Sequence, residues 1–348
     1  MRLTDDRRLQ GWLRAGADAL FVGTDAGVGR YGLADGSWEP SWCSGPAGPV
    51  VLTEDLVLAA SEFRIGRELY GVTRPGATTA WDLVVGGNSR PRLTRAAGRL
   101  YLPGYDAVRE LDAATGERRT EFPTASGEAS PFAPAVVDDA LFVHAGDVLF
   151  GFHLDGDHRF AVDVPVPDGG DGDVVHLLTG PTVAGDGRLF ATMVPVPGRN
   201  APAGAVDVPG THGVLHAFDR ETGDPAWTYR TRPGGRFGPP ALADGVVFVA
   251  ETTPDRATAA VGDDATVVHC LDAVDGSTYW TRDLPEASSA TAQPTVADGV
   301  VYLNTDERFS ALSVADGSTR WSTERTEPFV VLDGRIVGVR EETLVALA

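Results

Sequence analysis

The sequence contains no lysine, so all 29 of its basic residues are arginine, and only two isoleucines, Ile65 and Ile336, stand among its 348 residues. Cysteine is nearly as scarce. Cys43 and Cys270 are too far apart for a CxxC motif and too few for a disulfide framework, so each reads as a free thiol packed as a small hydrophobe. No run approaches the roughly 18 to 20 consecutive apolar residues of a membrane span. Residues Met1 to Arg8 lack the basic start and the apolar stretch of roughly 7 to 15 residues that a secretory signal needs. A cytoplasmic protein is therefore expected, with an extracytoplasmic one the alternative if an export signal lies outside this chain. No HExxH, GxSxG, P-loop or dinucleotide fingerprint occurs.

Charge of one sign dominates what is present. The chain has 49 acids, 33 of them Asp, and a formal charge of −20. Acids and arginines are interspersed, without the basic clusters that phosphate binding requires, which argues against a nucleic-acid partner. Dense, strongly hydrated carboxylates keep a protein soluble in concentrated salt, where repulsion is screened to within ~3 Å at about 1 M. The composition thus predicts a halophile's surface, although a GC-rich genome also accounts for the scarcity of Lys and Ile.

A repeat organises the chain. Proline followed by apolar residues, a turn rich in Asp, Gly or Ala, and a second apolar strand recurs at Pro49, Pro91, Pro134, Pro181, Pro240, Pro294 and Pro328. An eighth copy without the proline starts near Trp12. The second half of each unit carries its own signature: Asp219 to Gly223 then Trp227, Asp272 to Gly276 then Trp280, and Ser313 to Gly317 then Trp321. Gly and Trp are four residues apart each time. The Gly supplies the positive φ of a tight hairpin turn, and the Trp opens the next strand. Asp112 to Gly116 keeps the turn but places Thr120 at the Trp position. Trp38, Trp42 and Trp81 are looser copies, and the stretch from His153 to Phe160 reads as the most eroded. Four short antiparallel strands per unit of about 43 residues is the propeller-blade period, and eight units fill the chain. The expected fold is all-β: one eight-bladed β-propeller domain over residues 1–348. The last unit has three evident strands, so Met1 to Thr4 is expected to supply its outer strand and close the ring.

The Asp-x-x-x-Gly turn with Trp four residues on resembles the tryptophan-docking repeat of the pyrroloquinoline-quinone (PQQ)-like β-propellers. That group contains quinoprotein alcohol dehydrogenases and BamB-type outer-membrane assembly lipoproteins, and the resemblance covers nearly the whole chain. It implies that Trp81, Trp227, Trp280 and Trp321, with Gly116, Gly223, Gly276 and Gly317, dock neighbouring blades together. The quinone enzymes of the family are similar to one another in an adjacent-cysteine disulfide, a calcium near the quinone and an Asp base. Cys43 and Cys270 stand apart, so no catalytic residue carries over and no cofactor is expected.

Other site signals are sparse. Asp168, Asp171 and Asp173 form a weak calcium candidate on a Gly-rich segment, without the glutamate that completes an EF-hand, and a solvated acidic loop is the simpler reading. The seven histidines are scattered. His269 reads as a half-buried strand residue, and His212, in a long loop, as the ligand-facing one. Loop length breaks the symmetry of the ring at Pro165 to Leu178, Pro195 to Gly213 and Thr252 to Thr266, all expected on one face. Arg199, His212 and Arg256 are the candidate contacts there, because an Arg fork suits the carboxylates of an acidic partner. The expected function is a non-enzymatic, monomeric scaffold for a protein or peptide partner. A quinone-dependent enzyme or a small-molecule-binding sensor is the alternative.

Overall fold

The computed structural model describes residues 9–24, 27–44, 47–61, 67–74, 78–85, 93–104, 106–124, 132–165, 174–178, 182–197, 212–252, 266–284, 293–332, 334–340 and 343–347. They form an eight-bladed β-propeller of antiparallel sheets. The blades span 9–44, 47–85, 94–123, 135–163, 174–230, 236–284, 295–324 and 329–347. Each runs as a meander. In blades five and six the first position is shared by two short strands: Val174–Leu178 and Val183–Gly185 both pair with Arg188–Pro197, and Arg236–Phe237 and Ala241–Ala243 both pair with Val246–Thr252. Blade eight has three strands among the described residues. Met1 to Thr4, expected to complete it, lies outside them.

Local chemistry explains the repeat. The first hairpin turn of blades five, six and seven is Asp-Gly, with φ of 50° and 72° at Asp186 and Gly187, 49° and 75° at Asp244 and Gly245, and 51° and 71° at Asp298 and Gly299. Two successive positive φ values match the twist of flanking strands, and Asp tolerates the left-handed region better than bulkier residues do. In the second signature the carboxylate ties the turn. Oδ1 of Asp219 accepts from the amides of Glu221 and Thr222 at 2.9 and 3.1 Å, and Oδ1 of Asp272 accepts from Val274 and Asp275 at 2.7 and 3.2 Å. The closing glycine amide then donates to the carbonyl of the same Asp, at 2.9 Å for Gly223 and 3.0 Å for Gly276. Outer strands such as Pro225–Arg230 and Thr319–Glu324 alternate exposed and half-buried residues, the period of a strand with one face covered.

The chain divides into two compact units. One comprises residues 1–136, 154–158 and 326–348, and the other 137–153 and 159–325. In the first, Leu13 and Leu20 of blade one share a core with Val339 and Leu344 of blade eight. Leu58, Leu69 and Trp81 of blade two pack with Leu100 and Leu111 of blade three. In the second unit, Phe190 and Leu215 of blade five join Phe237, Val249 and Leu271 of blade six, and Phe248 and Cys270 join Val301 and Leu312 of blade seven. Burial pushes the Cys270 thiol up to about 12, which leaves it an inert packing group. Among the described residues no helix is long and apolar enough to cross a membrane.

Candidate functional site

Trp81, Trp227 and Trp280 each lie against the turn glycine of the next blade. The indole of Trp227 covers the turn of blade six, where a Cβ built on Gly276 would lie 2.8 Å from the ring, and its Nε1 donates to the Ala273 carbonyl at 3.2 Å. Trp280 repeats this on blade seven, with Gly317 at 2.6 Å and Nε1 donating to Val314 at 2.9 Å. Trp81 lies 2.7 Å from the corresponding point on Gly116 of blade three. Trp321 lies against Tyr302 and Phe309 of its own blade, with centroids 6.2 and 5.6 Å away. Blade four is less eroded than its sequence suggests. Phe160 stands four residues after Gly156 and takes the indole's place, 2.6 Å from the point a Cβ on Gly223 would occupy.

Because these contacts serve the ring alike, a site must be sought where the repeat is broken. The break is at blades five and six. Glu251 interrupts the apolar run of Val246–Thr252 and is 1% exposed. Its Oε2 accepts from Nε2 of His269 at 2.9 Å, and its Oε1 accepts from the backbone amide and Nε of Arg232, both at 3.1 Å. With Nε2 of His269 donating, its Nδ1 accepts from the Tyr229 hydroxyl at 3.2 Å. The imidazole is set edge-on to the rings of Tyr229 and Phe237 at 5.4 and 5.8 Å. Burial works to raise the Glu251 carboxyl, but the hydrogen bonds and charges of His269 and Arg232 outweigh it and hold the group below the usual carboxylate range.

The turn from Thr231 to Gly235, which links the two blades, is the centre of this network. Gly235 donates to the Arg232 carbonyl at 2.9 Å, and Gly234 takes φ of 79°. A Cβ at Gly235 would lie 2.7 Å from Glu251 Oε1, so only glycine lets the turn close over the carboxylate. The hydroxyl of Thr231 accepts from the Gly213 amide at 2.9 Å, and Nδ1 of His212 donates to the Thr231 carbonyl at 2.7 Å. One five-residue turn therefore holds His212 and Gly213 and, through Glu251, the strand Val246–Thr252.

Of the contacts expected from sequence, His212 is described and is half-buried on Thr231; Arg199 and Arg256 lie outside the described residues. So do Asp168, Asp171 and Asp173. Among the described residues no three His, Cys, Asp or Glu side chains converge as metal ligands. The sequence reading missed Glu251, Tyr229 and Arg232 and took His269 for a simple strand residue. The available signal was a carboxylate after five apolar residues of a buried strand.

The family model described as "Outer membrane protein assembly factor BamB" matches residues 211–347. The chain is similar to the PQQ-like β-propellers. Among solved structures, BamB from Moraxella catarrhalis is 18% identical with a TM-score of 0.54, over 88% of this chain and 83% of that one. A quinohemoprotein alcohol dehydrogenase, ADHIIG, from Pseudomonas putida HK5 is 11% identical with a TM-score of 0.61, over 97% and 70%. The quinohemoprotein alcohol dehydrogenase of Comamonas testosteroni is 12% identical with a TM-score of 0.59, over 97% and 71%. At these identities the likeness is one of fold. The search of curated proteins found no match.

Proposed function

We propose that the protein is a non-enzymatic scaffold that holds a protein or peptide partner on the face served by the Thr231–Gly235 turn. The observation that carries this reading is the network itself. A buried carboxylate bonded to the turn at Arg232, a turn that only glycine can close and a threonine that holds Gly213 cost more to assemble than a plain inter-blade link, and they occur where the chain departs from its repeat. The match to an assembly-factor family supports it. The alternative, quinone chemistry, lacks the adjacent cysteine pair of the quinone enzymes, since Cys43 and Cys270 stand far apart in the sequence.

The test is capture from host extract in molar KCl with the wild type and with a variant in which residues 198–211 and 253–265 are both cut to the length of the Thr305–Glu307 link of blade seven. Loss of the same captured protein in the variant, with the melting temperature unchanged, is the expected result. Retention would move the site elsewhere on the ring, and a visible absorption band after reconstitution with the quinone and calcium would favour the enzyme.

The acidic surface belongs to the same proposal as an adaptation to salt. With a formal charge of −20 and no lysine, repulsion opposes the compact state at low ionic strength and is screened as salt rises. The thermal midpoint should therefore climb from tens of millimolar to molar KCl, and a flat or falling midpoint would reject halophilic adaptation.

A further inference from the structure

Histidine occupies the same place in two neighbouring blades. His216 and His269 each stand three residues before the turn aspartate, opposite Thr228 and Thr281 of their respective outer strands. Their surroundings differ. Against His269 lie the Glu251 carboxylate, the Tyr229 hydroxyl and, through Glu251, the Arg232 guanidinium. His216 is bonded through Nδ1 to Thr228 Oγ1 at 3.2 Å and is close enough to His144 of blade four for the two charges to interact. His144, on the strand Ala140–Ala145, is 3% exposed, and its Nδ1 lies 2.6 Å from the hydroxyl of Thr182, just before the strand Val183–Gly185 of blade five. Its Nε2 is buried and has no hydrogen-bond partner among the described residues.

We propose that His144 and His216 make the seam between blades four and five a proton-operated opening, while the Glu251–His269 pair keeps the seam between blades five and six closed under the same conditions. A neutral imidazole has one N–H. Added acid turns both nitrogens of His144 into donors and leaves a charged N–H at Nε2 facing a buried surrounding, with a second imidazole beside it. The charge is relieved by reaching water, which requires the two blades to part. At the next seam the Glu251 carboxylate faces His269 at 2.9 Å and Arg232 at 3.1 Å, so positive charge there has a carboxylate beside it. Burial first, and the His216 charge second, push His144 down to about 3 from the ordinary 6.5. A group depressed in the folded state takes up its proton more readily when released. The stability it contributes is whole above 6.5 and is lost as pH falls toward 3. This inference does not rest on the binding reading.

Amide exchange, corrected for the intrinsic rate, tests it at pH 7 and pH 4.5. Protection in Ala140–Ala145 and Val214–Asp219 should fall at least about tenfold on acidification and return on neutralisation, while Val246–Thr252 and Thr266–Asp272 change less. His144→Asn keeps a donor for Thr182 and cannot titrate, so it should abolish the selective loss. An acid loss undiminished in that variant, or one that starts in blade six, would overturn the proposal. Should the variant not fold, imidazole NMR of the wild type decides. A His144 that takes up its proton near 6.5 while both strands stay protected overturns the proposal, and one that titrates only with the loss of protection upholds it.

Discussion

Alanine at Gly276 is expected to destabilise the protein by about 2–5 kcal/mol, and the same substitution at Gly245 by only about 1–2 kcal/mol. The two glycines share a backbone conformation, with φ of 74° and 75°. An added methyl group therefore carries the same left-handed strain at either site, about 1–2 kcal/mol. What differs is the neighbour. At Gly245 nothing lies within 4 Å of the new Cβ, whereas at Gly276 the Trp227 ring lies 2.8 Å away. That ring is held by its bond to Ala273 and by packing against Phe190 at 5.8 Å, so it cannot yield without breaking the contact between blades five and six. The overpacking adds about 1–3 kcal/mol. Urea unfolding of both variants at fixed high salt checks the difference. Equal losses would mean that the indole does not dock the blades.

The architecture was legible because the repeat is written in residues whose roles are local. Gly at a positive-φ turn, Asp capping two amides and Trp four residues on require nothing from distant sequence, so each copy announces itself. Blade four shows the limit. Phe160 does the work of Trp227, but a reading tuned to Trp passed over an aromatic at the same spacing from Gly156. The candidate site was less legible. Glu251, Tyr229, Arg232 and His269 are drawn from three strands and one turn, and their partnership depends on the register of blades five and six, which no single segment displays. His212 was singled out for its place in a long segment, and its actual bond, to a carbonyl 19 residues on, could not be read from that. His144 and His216, 72 positions apart, likewise meet only through the ordering of blades.

Glu251→Ala is expected to cost about 3–5 kcal/mol, because removal of one partner leaves the others in a buried site without compensation. The carboxylate is 2% exposed at its side chain, and the alanine would strand the amide of Arg232 and Nε2 of His269 together. Glu251→Gln should cost less, about 1–3 kcal/mol. Its amide oxygen can still accept from Arg232, and its NH2 can face His269 if that imidazole moves its proton to Nδ1 and donates to the Tyr229 hydroxyl. The pH dependence separates charge from shape. Glu251 is held below its ordinary 4.5, so in the wild type its contribution is complete above 4.5 and disappears as pH falls through the lower folded value. The glutamine variant has no such carboxylate, and its deficit relative to wild type should shrink as the pH is lowered through that range. Denaturation midpoints of the wild type and both variants at pH 7 and pH 3.5 measure this. A deficit for Glu251→Gln that is the same at both values would show that the carboxylate's charge contributes nothing and that Glu251 holds the Thr231–Gly235 turn by shape alone.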